Sequence, residues 1–146
     1  MDDIIQKLKT PTECIQLAKN VRDRNPALVQ KARRRAVELR ALSCGSKSEV
    51  ETELFKALYA YEEVLFEKNK KHTRASRTWQ MIKRHGIIGA AERAVNRKIE
   101  PAGYKVLVEM GMHDLTFKAV IIRYPNVFNE EVVSRAKERL KKLSDI

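Results

Sequence analysis

Proline and glycine are scarce in this chain, and where they occur they punctuate it into helices. Among 146 residues there are 4 Pro and 5 Gly. Thr10, Pro11 and Glu13 form a helix start in which Thr10 caps, Pro11 suits the first turn and Glu13 completes a capping box. Asn25 and Pro26 restart the chain, and Pro101 opens a further segment. Gly45, Gly86 and Gly111 each close an apolar-periodic stretch, Gly86 as a left-handed stop, and Pro125 closes another. A chain divided in this way, with 34% charged residues, reads as helices with short connections and not as a sandwich or a disordered polymer.

Between these marks the apolar residues recur at helical spacing. The first helix is expected to run to about Arg24, and Leu28, Val29, Ala32, Ala36 and Leu39 share one face of the second. Ser48 with Glu51 opens a long helix to about Asn69. That helix carries a wide arc (Val50, Leu54, Ala57, Leu58, Tyr61, Val64, Leu65) and a second stripe nearly opposite (Phe55, Tyr59, Phe66). A helix apolar on two sides is packed between neighbours. The other use of such a stripe is an open platform for stacking bases; core is preferred, because three aromatics exposed along one helix invite aggregation.

Thr73 is read as the cap of a helix from about Arg74 to His85, with a shorter helix following over residues 87–97. Val120, Ile121 and Ile122 have strand propensity, but the run lacks alternation. Asp114 as cap and Pro125 as stop favour a helix there, and Asn129 caps a last helix with acids early and bases late. The expectation is an all-α single domain over 1–146: a compact bundle of about seven short to medium helices around a central helix near residues 49–69.

Charge narrows the function. The formal net charge is +11, and residues 1–67 carry 12 cations and 11 anions, residues 68–98 carry 10 and 1, and residues 99–146 carry 8 and 7. Like charges at the density of 68–98 repel one another in a compact fold, and a phosphate backbone is the commonest partner that offsets them. On a helical wheel Ala75, Trp79 and Ile82 share one arc, and Arg74, Arg77, Gln80 and Arg84 another. Trp79 thus anchors the helix while guanidinium groups about one turn apart face outward, near the spacing of phosphates along a strand. Arg can read guanine edges bidentately, and Gln80 can pair with adenine in a major groove. Lys68, Lys70 and Lys71 before this helix, Lys83 within it, and Arg93, Arg97 and Lys98 after it extend the patch. The other basic run, "KARRR" at 31–35, scatters around its helix with Glu38 close by and reads as solvated flanks.

A helix-turn-helix around Gly86 fits poorly, because Ile82 stands where a small residue is usual and Glu92 where an apolar one should be buried. His72, His85 and His113 show neither H-x-x-x-H nor H-E-x-x-H spacing, and no P-loop, dinucleotide glycine pattern or nuclease carboxylate-lysine motif is present. Glu109, His113 and Asp114 around Gly111 read as helix ends. No catalytic residue, metal or cofactor is therefore assigned; a nuclease is the enzyme class that fits best, and a cysteine with catalytic partners distant in sequence stays open. Cys14 and Cys44 fit two small thiols in a reducing cytoplasm better than a bridge between them. The acidic start holds no apolar run long enough for a signal peptide or a membrane span, so the expected location is the cytoplasm.

From "AYEEVLFEKNKKHTRASRTWQMIKRHGIIGAAERAV" through "GYKVLVEMGMHDLTFKAVIIRYPNVF" the chain resembles a family of all-helical bacterial proteins that carry no established activity and occur alone or beside nuclease-like regions. The resemblance implies a helical domain in a bacterial or phage setting and shades the function toward DNA; it carries no functional residue over. The expected function is binding of nucleic acid, DNA before RNA, on the basic surface at 68–98. The alternative is a protein-interaction module, an inhibitor or adaptor of phage or defence systems, whose basic face docks an acidic protein surface.

Overall fold

The structure, a computed structural model, describes residues 2–97 and 101–144. Among the described residues there are eight helices: α1 (Asp2–Lys7), α2 (Pro11–Val21), α3 (Pro26–Leu42), α4 (Glu49–Asn69), α5 (Ser76–Ala94), α6 (Pro101–Glu109), α7 (Phe117–Arg123) and α8 (Glu130–Ser144). No strand occurs among the described residues. No helix among them is long and apolar enough to cross a membrane.

Local chemistry sets most of the helix starts. The side-chain oxygens of Thr10, Asn25, Ser48 and Asn129 accept from the N–H three residues on, at 3.2, 3.2, 3.3 and 2.9 Å. The expected cap at Asp114 is not used: Thr116 Oγ1 accepts from Ala119 N at 3.0 Å, and α7 starts at Phe117. The run of Val120 and Ile121 is buried within that helix and not in a strand. α2 ends at Val21, earlier than the expected Arg24. The short α1 was not anticipated; it is pinned by Ile5, which packs with Leu28 and Ala32 of α3.

The central helix is α4, with α3, α5, α6 and α7 packed around it. Leu54 and Leu58 are fully buried and cluster with Ile87 and Ala91 of α5, with Val95 at its C-cap, and with Val120 and Ile121 of α7. α8 completes this side through Val133 and Ala136. A second cluster joins Val37 of α3, Ala60 and Val64 of α4, and Leu107 of α6. Tyr61, placed by its spacing in the apolar arc, is exposed instead.

Gly86 breaks the helical path between His85 and Ile87, as the sequence leads one to expect. α5 is thus two helical limbs, 76–85 and 87–94, that meet at a kink where Gly86 has φ 75° and ψ 171°. This is not the left-handed helical region of the expected stop but the extended region at positive φ, open essentially to glycine alone. A Cβ built there meets nothing within 4 Å, so the whole cost of a side chain is backbone strain. Gly86→Ala is expected to lower stability by about 2 kcal/mol, read from the denaturant midpoint at unchanged m-value. An unchanged midpoint would mean that the break is not fixed by the glycine.

Candidate nucleic-acid interface

The basic segment leaves the end of α4 at a left-handed residue. Lys70 has φ 56° and ψ 23°, and its N–H donates to Phe66 O at 2.7 Å, which closes the helix and turns the chain away. Thr73, expected to cap the next helix, is engaged within the connection: Asn69 Nδ2 donates to its hydroxyl at 3.1 Å, and the hydroxyl donates to Lys71 O at 3.0 Å. α5 begins at Ser76, and its N-cap residue, Ala75, has no side-chain oxygen.

The missing cap comes from α4. Glu62 Oε2 accepts from Ala75 N at 2.8 Å and from the indole Nε1 of Trp79 at 2.9 Å. Glu62 is 7% exposed, so a buried carboxylate stands at the positive end of α5 and does the work of a capping side chain. The Trp79 ring lies 6.3 Å from that of Phe55 and 5.9 Å, edge-on, from that of Tyr59. Phe55 and Tyr59 are thus a seat for Trp79 and not an open stacking platform. Only Phe66, the last of that stripe, is exposed.

From this seat the cations face solvent. Arg77, Gln80 and Arg84 recur along the first limb of α5 and are all exposed, as is Lys83 beside them; Arg77 and Arg84 are about 10 Å apart along the axis. Arg74 is exposed too, its guanidinium carbon 4.6 Å from the Trp79 ring centroid in a cation–π contact. Lys68 and Lys71 are exposed at the end of α4 and in the connection. On and beyond the second limb, Arg93 donates to Gly89 O at 3.5 Å, and Arg97 reaches back to Met81 Sδ at 3.7 Å, bringing it against the first limb. Lys98 lies outside the described residues. Of the nine cations at 68–97, Lys70 alone forms an ion pair among the described residues, with Glu67 at 3.6 Å. The Lys70 side chain is 79% exposed, so that pair holds it only weakly.

The cations of α3 behave in the opposite way, which corrects their reading as solvated flanks. Arg33 bonds Glu63 and Glu67 of α4, both at 2.8 Å, and Arg40 bonds Glu63 at 3.0 Å. Arg34 clamps Asp114 with two bonds of 2.8 Å. That clamp explains why Asp114 does not cap α7, and the guanidinium holds its carboxyl below the usual carboxylate range.

Spacing did not single out Glu62, although it falls three residues after Tyr59 and seven after Phe55. An acid inside an aromatic stripe is the available signal for a buried, hydrogen-bonded carboxylate. Both cysteine thiols are free, and Cys44 Sγ lies 3.4 Å from the Tyr59 hydroxyl. Among the described residues no group of three or more His, Cys, Asp or Glu could hold a metal ion. Compared with known proteins, the chain matches no protein-family model, no curated protein and no solved structure.

Proposed function

We propose that the protein binds nucleic acid, DNA in preference to RNA, through the cations at 68–98, with contacts to phosphates dominating. One observation carries the reading: carboxylates of neighbouring elements engage the arginines of α3, whereas the cations of 68–97 stand exposed in a segment with a single acid, Glu92. A row of unpaired cations on a rigid helix concentrates positive potential and attracts a polyanion, and each phosphate that it neutralises releases counterions. DNA is favoured over RNA by the resemblance to bacterial proteins that occur beside nuclease-like regions, and the setting that goes with it is the bacterial cytoplasm.

The test is fluorescence anisotropy with labelled duplex DNA, single-stranded DNA and RNA of one length, from low to moderate salt. Binding is expected with an affinity that falls steeply against the logarithm of salt concentration. Changing Arg74, Arg77 and Arg84 together to Ala should weaken binding about tenfold or more and flatten the slope by about one for each arginine on a phosphate. Unchanged affinity in that variant sinks the site. No binding by the unaltered protein at low salt sinks the function and turns the search to an acidic protein partner, captured from nuclease-treated lysate.

A further inference from the structure

The contact between α7 and α8 is apolar where Val120 and Ile121 meet Val133 and Ala136. It also holds two cations. Lys118 of α7 is 3% exposed. The charge that acts on it is that of Arg139, half-buried on α8 one turn beyond Ala136. Arg139 Nε is buried without a partner. Among the described residues no carboxylate bonds either side chain.

Like charges in one apolar contact are costly, since each loses water and gains no opposite charge. Their arrangement calls for a negative group on the lysine side, within reach of Arg139. A free anion would have to shed its hydration to enter a site this closed. Carbon dioxide enters small and uncharged, and becomes an anion only on bonding to an amine. Burial and then the Arg139 charge push the Lys118 amine down to about 8. About a tenth of it is therefore a neutral nucleophile at pH 7, against fewer than about one in a thousand for a lysine of ordinary basicity.

We propose that Lys118 is a carbamylation site, whose neutral Nζ adds CO₂ to give a carbamate that accepts from Arg139 Nε. The Nζ lone pair forms an N–C bond to the carbon of CO₂, one C=O pair moves onto oxygen, and the nitrogen gives a proton to water. Nothing is oxidised or reduced. Counted from the ammonium, two protons leave and the side chain passes from +1 to −1, so a like pair becomes an opposite one. The orphaned Nε–H then makes a charge-assisted bond that ties α7 to α8. Because the unfolded chain offers a lysine of ordinary basicity, CO₂ should stabilise the fold in the manner of a ligand that binds the native state. This chemistry is independent of nucleic-acid binding at 68–98.

The test is ¹³C NMR of the whole protein near pH 8 under ¹³CO₂ with bicarbonate. The carbamate is then trapped with triethyloxonium, which ethylates it, and the product is located by peptide mapping in a mass spectrometer. A saturable carbamate resonance and an ethyl carbamate on Lys118 are expected. The α-amine, ordinarily near 7.7–8.0, also takes up CO₂; in Lys118→Met its resonance should remain while the Lys118 resonance vanishes. Arg139→Met removes both the donor and the like charge that keeps the amine neutral, and should lower the occupancy of Lys118 about tenfold. At fixed pH and ionic strength the denaturant midpoint should rise with CO₂ in the unaltered protein and not in Lys118→Met. Folded, unaltered protein with no label on Lys118 overturns the proposal, whether or not the variants fold. Full occupancy in Arg139→Met removes Arg139 as the partner and overturns the paired site. A midpoint that chloride raises as CO₂ does, with Lys118 unlabelled, overturns it in favour of a site for a free anion.

Discussion

Replacing Trp79 with alanine is expected to lower stability by about 3–5 kcal/mol. The ring fills the seat made by Phe55 and Tyr59 at centroid distances of 6.3 and 5.9 Å, and its N–H is one of the two donors to Glu62 Oε2. Truncation therefore leaves a void against two aromatics. It also takes a donor from a carboxylate that is 7% exposed, and a buried acceptor that loses its donor costs about 1–3 kcal/mol. Trp79→Phe separates the effects, because it keeps most of the packing and loses only the N–H; its expected cost is about 1–2 kcal/mol. Since the variants lack the only tryptophan, unfolding in denaturant is followed by far-ultraviolet circular dichroism. Against a domain stability of about 5–15 kcal/mol, the alanine variant should unfold at a much lower midpoint. A loss below about 1 kcal/mol would return the ring to the role of an open stacking surface, where the fold tolerates its removal and binding falls.

The features legible in the sequence were those decided within one helical turn. Thr10, Asn25, Ser48 and Asn129 cap because the acceptor and its N–H are three residues apart, a relation that sequence displays. The exposure of Arg77, Gln80, Lys83 and Arg84 follows in the same way from a wheel anchored by Trp79. Long-range partners decided the rest. Asp114 and Thr116 are both good caps by type, and the clamp from Arg34, 80 residues away, takes Asp114 out of competition. Thr73 is likewise a good cap by type, yet Ala75 and Trp79 are served by Glu62 from another helix. The "KARRR" run looked solvated because its acids, Glu63 and Glu67, lie on the neighbouring helix. Gly86 shows the same division: its type signals the break at positive φ that separates the two limbs, but its extended ψ, in place of the left-handed helical one, is not displayed by the sequence.

Lys118→Met is expected to stabilise the protein by about 3 kcal/mol at neutral pH, a gain obtained by removing a charge and not by adding a contact. Lys118 lies on α7 and is 3% exposed. No described residue accepts from its ammonium, and the charge that acts on it is a like one, Arg139 of α8, whose own Nε is buried without a partner. Burial, and then the Arg139 charge, pushes the amine from 10.5 down to about 8. Because the folded amine binds its proton less readily than the unfolded one, the penalty is fully present below pH 8. It is relieved as pH rises from about 8 to 10.5, where the unfolded chain still carries a proton that the folded state has released. The rest of the surface also titrates at high pH, so the informative quantity is the stability difference between the Met variant and the unaltered protein. That difference should be largest near pH 7, shrink across the window and vanish above about 10.5. Met matches the length and flexibility of the lysine stem and fills its channel without a charge. A gap that stayed constant with pH would assign the gain to packing alone, whereas equal stabilities at pH 7 would mean that the ammonium reaches water between α7 and α8 and imposes no penalty on the fold.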